Sequence, residues 1–391
     1  MFLLKKDNVS YRKDYDKSSV FSAIIIIFLM LFCIPYAVNS QTQAKPTKLS
    51  SEPLRFRVMS WNVENLFDTH HDTLKNDYEY LPEAIRHWNY TKYKKKLANI
   101  AQVITAVGEW EPPALVGLCE VENDSVLRDL TRRSPLKEMS YRYVMTNSPD
   151  IRGIDVALLY QRDLFKLVSY RSISIPPFAH HRPTRDLLHV SGLLLTGDTL
   201  DVFVCHLPSR SGGAKESEPY RLHVAKVLRM STDSIFKSRL HPQLIIMGDF
   251  NDYPNNKSIK DILEATMPIN EKKVSPKLES SNSKSSSTQI NPQKLYHMLA
   301  RKAMSHNFGS YKFHGQWGLL DHLIVSGTLL NTSSRFFTCE DYANVAYLPF
   351  LLTDDQKYGD KEPLRTYKGM KYQGGISDHL PVYMDFTLIP Y

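Results

Sequence analysis

The chain has 391 residues, of which 42% are hydrophobic and 23% are charged, so its composition is that of a globular protein with one large α/β domain or two small ones. Its four cysteines are too few and too scattered for a disulfide framework, which excludes a disulfide-stapled scaffold. The formal net charge of +8 suits a phosphate-bearing partner but does not select one.

The first 40 residues have the pattern of a secretory signal peptide. Basic residues precede an apolar run over residues 20–38, and small residues end the run where a signal peptidase would cut. Because the run is nearly long enough to span a bilayer, an uncleaved membrane anchor is the alternative. The protein is therefore expected to be exported to the periplasm, the cell surface or the medium, or to stay membrane-anchored. Residues 41–53 are predicted to form a flexible leader.

Short apolar runs bounded by turn residues predict eight strands beyond the leader. In chain order they are FRVMSW, ALVGLC, DVALLY, LLHVSGLLL, LDVFVC, QLIIMG, LDHLIVS and LPVYMDFTL. Helices are predicted over residues 90–110, where apolar residues recur at helical spacing, and from Glu218 to about Lys237. The lysine run at 94–96 is predicted to be a solvated helix face, with nucleic-acid contact as the alternative. Many strands and few helices favour a mixed or antiparallel pair of sheets.

A polar stretch at about residues 268–292 separates the last two predicted strands from the others. It is rich in Ser, Lys and Asn, and it has too few large apolar residues to repay the entropy cost of ordering. We predict a disordered insertion in one domain over residues 54–391, because the strand pattern continues beyond it. A linker between two domains is the alternative.

Polar residues stand at the ends or starts of six predicted strands. Since one strand ends beside the start of its antiparallel neighbour, these side chains are expected to meet at a single edge. Each has an ordinary structural explanation by itself, such as an Asx turn or a buried core histidine. Their repeated placement favours a reactive site presented by a rigid sheet. The residues are Asn62, Glu64, Glu120, His206, Asp249, Asn251, Asp321, Asp378 and His379.

Carboxylates and carboxamides without a thiolate cluster favour a hard cation, so Mg²⁺ is predicted, with Mn²⁺ or Ca²⁺ possible and zinc disfavoured. Histidines beside carboxylates suit proton transfer or donation to a phosphoryl oxygen. Together these groups predict metal-assisted hydrolysis of a phosphoester.

Seven segments occur in an order that resembles the endonuclease/exonuclease/phosphatase superfamily, and they span residues 55–388. They are SWNVENLF, LVGLCEVEN, RGIDVALLY, CHLPSR, GDFND, LLDHLIVS and ISDHLPV. The resemblance implies an α/β (α+β) four-layer sandwich, in which two mixed β-sheets pack face to face with helices on the outside. The sequence departs from the family where Cys119 precedes Glu120 and where His322 follows Asp321.

The resemblance also implies roles for individual residues. Asp249 would orient or deprotonate the attacking water, and Asn251 would hold the metal or a phosphate oxygen. His379, oriented by Asp321, would contact the scissile phosphate, and His206 would serve as general acid to the leaving oxygen. The metal site would include Asn62, Glu120 and Asp378. Phosphate contacts, or a partner for His206, would come from Arg152, Asp155 and Arg185.

Three functions are compatible with these features. The first is an exported phosphodiesterase, with a nuclease favoured. The second is a phosphatase or phospholipase C-like enzyme acting on inositol phosphates or sphingomyelin-like head groups. The third is a non-catalytic member that binds phosphorylated ligands. The expected partner is thus nucleic acid or a small or lipid phosphoester. The sequence indicates no protein partner, and a monomer is expected.

Overall fold

The computed structural model describes residues 52–179, 181–268 and 290–391. The predicted signal peptide, most of the predicted leader and residues 269–289 of the predicted insertion lie outside the described residues, so those predictions stay predictions. None of the helices in the described part of the chain has the length and hydropathy needed to cross a bilayer.

The described residues form three α-helices and nineteen strands, several of them only two or three residues long. The helices are α1 (Tyr90–Gly108), α2 (Asp124–Arg133) and α3 (Ala214–Ser238). The strands are β1 (Leu54–Leu66), β2 (Leu115–Val121), β3 (Arg142–Met145), β4 (Asp155–Tyr160), β5 (Phe165–Ile173), β6 (Leu187–Leu194), β7 (Thr199–His206), β8 (Gln243–Asp249), β9 (Leu295–His297), β10 (Tyr311–Phe313), β11 (Gln316–Gly318), β12 (Asp321–Ser326), β13 (Phe336–Phe337), β14 (Ala343–Val345), β15 (Leu352–Asp354), β16 (Lys361–Pro363), β17 (Tyr367–Lys368), β18 (Lys371–Tyr372) and β19 (Val382–Leu388).

Two of the sheets are large, and both are mixed. The first has the order β13-β19-β1-β2-β4-β3, with β14 also paired to β19, and β1 runs parallel to β2 but antiparallel to β19. The second has the order β5-β6-β7-β8-β12-β9, and β7 runs parallel to β8 while β12 is antiparallel to it. Three two-stranded hairpins, β10-β11, β15-β16 and β17-β18, complete the described strands.

The two large sheets pack face to face, with helices on both outer faces. Between the sheets, residues such as Cys119 of the first and Met247 of the second share one fully buried core. Gly117 sets the spacing here, because a Cβ at this position would lie 2.9 Å from the sulfur of Met247. Helix α1 covers the outer face of the first sheet, and α3 packs Val224 and Leu228 on that of the second. The predicted four-layer sandwich is confirmed.

All eight predicted strands and both predicted helices are present. The predicted elements do not include α2, β3, β5 or the short strands of the C-terminal third. Helix α2 has ten residues, too few for a long apolar stripe, and β5 is an edge strand whose side chains are mostly exposed. Neither element therefore carries the extended apolar pattern on which the predictions relied.

The predicted solvated lysine face is wrong for Lys96. This residue lies three positions after Tyr93 and four before Ile100, so helical geometry places it on the buried stripe of α1. Its side chain is 2% exposed, and its ammonium donates to the backbone oxygens of Glu64 (2.8 Å) and Ile376 (2.5 Å) and to the hydroxyl of Thr366 (2.6 Å). Lys95 remains exposed.

Candidate active site

Strand register in the second sheet aligns three of the predicted site residues. Asp249, the last residue of β8, stands opposite His206 at the end of β7 and opposite Asp321 at the start of β12. This row follows from the parallel β7-β8 pair and the antiparallel β8-β12 pair, as the sequence pattern predicts.

The first sheet contributes Asn62 and Glu120 from its own strand ends. The Asn62 amide donates to Asp249 Oδ2 at 3.0 Å and thereby joins the two sheets at this edge. Both β1 and β2 are irregular here: the register shifts between Asn62 and Leu66, and Glu64 and Glu120 have φ of 51° and 65°. Bulges and left-handed residues redirect side chains, and they concentrate at functional sites.

His379 bridges two carboxylates. Its Nδ1 lies 2.7 Å from Asp321 Oδ2, which also accepts the hydroxyl of Ser310 at 2.6 Å, while its Nε2 lies 3.8 Å from Asp249 Oδ2. Burial alone would lower the pKa of His379, but the charges of Asp321 and Asp249 outweigh burial and raise it well above its usual value. Burial raises the pKa of Asp249 to about 7, despite the opposing effect of His379. This cluster therefore holds a proton near neutral pH.

His206 differs from His379, because its pKa is lowered and not raised. Its Nε2 lies 3.6 Å from Asp249 Oδ2 and 3.9 Å from Glu120 Oε1, and its buried Nδ1 has no hydrogen-bond partner among the described residues. Burial, and then the positive charges of Arg185 and Arg152, hold the pKa of His206 well below its usual value. The Asp249 carboxylate thus lies between the neutral imidazole of His206 and the protonated imidazole of His379.

Asn251 and Asp378 adjoin this group in sequence, two residues after Asp249 and one residue before His379. The backbone N–H of Asn251 donates to Asp249 Oδ1 at 2.8 Å, and its side-chain amide donates to the carbonyl of Leu207 at 3.1 Å. Asp378 is hydrogen-bonded to the guanidinium of Arg365.

The three predicted phosphate contacts differ in position. Arg152 is half exposed, and its Nη2 lies 3.9 Å from Glu120 Oε2 and 2.7 Å from Asn65 Oδ1, so it stands beside the site. Arg185 is buried and bonded to Asp150 (3.1 Å) and to the carbonyl of Leu207 (2.6 Å), the residue after His206. The Asp155 carboxylate instead accepts hydrogen bonds from Thr146 and Ser148, and none of its hydrogen bonds goes to another predicted site residue.

Glu64 is one of the predicted strand-end residues, but no catalytic or metal-binding role was predicted for it. Glu64 is buried, its carboxylate accepts the backbone N–H of Thr366 at 2.6 Å, and burial followed by the charge of Asp378 raises its pKa to about 7. Its position two residues after Asn62 was the available signal. His322, the departure from the family pattern, lies in the core, where its ring is bonded to His297 and to the carbonyl of Asp252.

The donor set fits a hard divalent cation. Glu64, Glu120 and Asp378 offer carboxylate oxygens, and all three act electrostatically on the ammonium of Lys96, which places them in one neighbourhood. The raised pKa of Glu64 reports a buried acid repelled by another acid, and a cation relieves such repulsion. Ligand atoms of Asp249, Asp321 and His379 also lie within 4.8 Å of one another. At this second group, a metal would have to displace the proton on His379.

Replacing Glu64 with glutamine is expected to stabilise the metal-free protein at high pH. The pKa of Glu64 rises from 4.5 to about 7 on folding, so its stabilising contribution is present below pH 4.5 and is lost as the pH rises through about 7. In EDTA, Glu64→Gln should therefore melt near the wild-type temperature at pH 5 and above it at pH 8. Adding Mg²⁺ at pH 8 should raise the melting temperature of the wild type and not that of the variant.

Glu122→Gln is the matched control, because burial also raises the pKa of Glu122, to about 8, while its carboxylate serves the backbone N–H of Asp68. This variant should show the same pH effect and keep the Mg²⁺ response. An undiminished Mg²⁺ response in Glu64→Gln would remove Glu64 from the metal site.

The four-layer sandwich and its edge of carboxylates, carboxamides and imidazoles define the phosphoesterase class of α/β sandwich proteins. The chain belongs to the endonuclease/exonuclease/phosphatase family, whose model matches residues 57–387. No curated protein sequence matches this chain closely enough to count as a relative.

Solved structures with a similar fold come from several organisms. TDP2 of D. rerio, humanized by 14 mutations, is 15% identical with a TM-score of 0.50, over 85% of this chain and 98% of that one. The human nocturnin catalytic domain with bound sulfate is 19% identical with a TM-score of 0.46, over 86% and 96%. The mannosyl-6-phosphatase of Bacteroides thetaiotaomicron is 14% identical with a TM-score of 0.46, over 85% and 99%. At 15% identity the likeness to TDP2 shows the fold alone.

Proposed function

We propose that this protein is an exported, divalent-metal-dependent phosphodiesterase that cleaves nucleic acid. The observation that carries the proposal is the position of the Asp249 carboxylate between His206 Nε2 at 3.6 Å and His379 Nε2 at 3.8 Å. Hydrolysis of a diester needs a group that activates water, a donor to the phosphoryl oxygen and a donor to the leaving oxygen. These three side chains supply one candidate for each task.

Asp249 orients the attacking water and accepts its proton as the oxygen–phosphorus bond forms. His379, protonated and held by Asp321 through Nδ1, donates to a non-bridging phosphoryl oxygen, where negative charge grows. As the bond from phosphorus to the leaving oxygen breaks, neutral His206 donates a hydrogen bond to that oxygen through Nε2–H, and the oxygen takes its proton from solvent. The Asn251 amide and Arg152 hold the remaining phosphate oxygens. A divalent cation bound by Glu64, Glu120 and Asp378 would neutralise phosphate charge.

A small phosphoester is the second candidate substrate, and one cavity favours it. This cavity of about 220 Å³ opens beside Glu64 and has both polar and aromatic walls. Arg86 lies over the rings of Tyr80 and Tyr367, and Arg365 also lines the cavity, so a compact, charged head group would fit. An inositol phosphate or a choline phosphoester has this character.

A substrate panel tests the proposal. Single- and double-stranded DNA, RNA, inositol phosphates, sphingomyelin and bis(p-nitrophenyl) phosphate are each incubated with Mg²⁺, Mn²⁺ or Ca²⁺, and with EDTA. We expect hydrolysis of nucleic acid and of the bis-ester with metal, and none with EDTA. Release from head-group substrates alone would favour the second candidate. Binding without hydrolysis of any substrate would contradict catalysis.

Export rests on the pattern of residues 1–40. Sequencing the N-terminus of the protein isolated from its host tests it: a mature chain that starts near Gln41 supports a cleaved signal, and one that starts at Met1 contradicts cleavage.

A further inference from the structure

A second cavity, of about 410 Å³, lies beside the catalytic group. We call it the arginine pocket, and its walls include Arg152, Arg182, Thr184, Arg185 and Tyr220. Two of these residues connect it to the reacting centre. Arg152 Nη2 lies 3.9 Å from Glu120, and Arg185 Nη2 donates to the carbonyl of Leu207, next to His206. A substrate phosphate at Asp249 would therefore have its adjoining portion within reach of this pocket.

Three arginines and two acids, Asp150 and Glu216, line the pocket, so its walls carry a net positive charge, and they also hold unused donors. Arg185 is neutralised by Asp150, but no carboxylate in the described parts of the chain lies within ion-pair distance of Arg182. Two wall atoms, Thr184 Oγ1 and Arg185 Nε, are buried and lack a hydrogen-bond partner among the described residues. A buried polar group without a hydrogen-bond partner is destabilising, so these groups favour a ligand that satisfies them. An anionic oxygen would do so.

The apolar surface of the pocket comes from a stack of aromatic rings. Tyr220 of α3 stacks on His181 with ring centroids 4.7 Å apart, and Phe178 stacks on His223 at 4.8 Å. The Tyr220 hydroxyl donates to the carbonyl of Arg182 at 2.6 Å, which ties the loop before β6 to α3. Because His181 and Tyr220 both line the pocket, it offers flat apolar surface next to the arginines.

We infer that the arginine pocket binds a second phosphate together with its attached ring, next to the phosphate being cleaved. This deepens the proposed function, on which it rests. The ring is the base of a neighbouring nucleotide or the sugar of a sugar phosphate, since each accompanies an anionic phosphate and has a face that packs on an aromatic ring: the flat base, or the C–H face of the sugar. The pocket would set substrate choice, because a diester with one phosphate and no such extension gains nothing from it.

Arg182→Ala and Tyr220→Leu test the inference, with the exposed Arg162→Ala as the matched control. Their kinetics are measured on a short oligonucleotide and on bis(p-nitrophenyl) phosphate. We expect KM for the oligonucleotide to rise roughly tenfold or more for the two pocket variants, the loss of one charge-assisted or stacking contact. Hydrolysis of the bis-ester should stay within about twofold of wild type. An unchanged oligonucleotide KM, or an equal loss on both substrates, would overturn the inference.

Competition identifies the source of the ring. Nucleoside monophosphates, sugar phosphates and inorganic phosphate are each added to the bis-ester reaction. Stronger inhibition by one ring-bearing class, lost in Tyr220→Leu, assigns that class; equal inhibition by inorganic phosphate contradicts a ring site. If the wild type fails to cleave the bis-ester, the proposed function has failed. Calorimetric titration of the same ligands then still decides whether the pocket binds them through Arg182.

Discussion

Replacing Asp249 with asparagine is expected to lower phosphodiester turnover by about 10²–10⁴-fold. The variant keeps the shape of the side chain but removes the group that accepts the proton of water. The asparagine oxygen can keep only one of the two hydrogen bonds that Asp249 accepts, from the Asn62 amide or from the Asn251 backbone, because its NH2 group then faces the other donor. The change also removes a buried acid whose pKa is raised to about 7, which offsets this loss at pH 8, so the variant should still fold there.

The measurement is hydrolysis of bis(p-nitrophenyl) phosphate at saturating Mg²⁺, together with a melting curve. Asp261→Asn provides the control, because Asp261 is exposed on the short helical turn Ser258–Ile262 and should tolerate the change. Turnover by Asp249→Asn within tenfold of wild type, with a normal melting curve, would place the chemistry at another carboxylate.

Replacing Asp252 with alanine is expected to destabilise the fold by about 3–5 kcal/mol, because it leaves a buried charge without its partner. Asp252 Oδ1 lies 2.7 Å from Arg221 Nε, and Arg221 is 1% exposed. The Asp252 carboxylate also accepts the hydroxyl of Ser258 at 2.7 Å. This pair fastens α3 to the loop that follows β8, three residues beyond Asp249.

Asp233→Ala is the contrasting control, since Asp233 forms a partly exposed pair with Arg229 on the same helix, and pairs that solvent reaches contribute about 0–1 kcal/mol. Urea unfolding gives both free energies. The double variant Arg221→Met, Asp252→Ala should recover part of the loss, because no unpaired charge remains buried. Equal, small losses in the two aspartate variants would show that Arg221 finds other partners.

The stretch GDFND shows which features of the site can be predicted from the sequence and which cannot. The abrupt end of an apolar run predicted that Asp249 and Asn251 stand at a strand end, and register does place Asp249 opposite His206 and Asp321. The sequence did not reveal that Asp252 turns inward to Arg221, because that partner lies 31 positions away on a helix. A local pattern shows where a strand ends, but not which distant side chain meets its next residue.

The remaining differences have the same origin. A solvent-exposed position was predicted for Lys96 because lysine side chains are usually exposed. Its polar partners, however, come from segments around Glu64, Thr366 and Ile376, which are distant from it in sequence. Asp155 is the first residue of a strand, as Asp321 is, but its carboxylate accepts hydrogen bonds from Thr146 and Ser148 and not from a site residue. The direction of a side chain depends on contacts that form only when the chain folds.

The division of the catalytic group between the two sheets gives the buried core a kinetic role. Asn62 and Glu120 move with one sheet, His206 and Asp249 with the other, and close packing such as that of Gly117 against Met247 fixes their separation. A core substitution that shifts one sheet by a fraction of an ångström would misalign the two halves. Turnover would then report on the fit of residues that never touch the substrate, and would decline while the protein still remained folded.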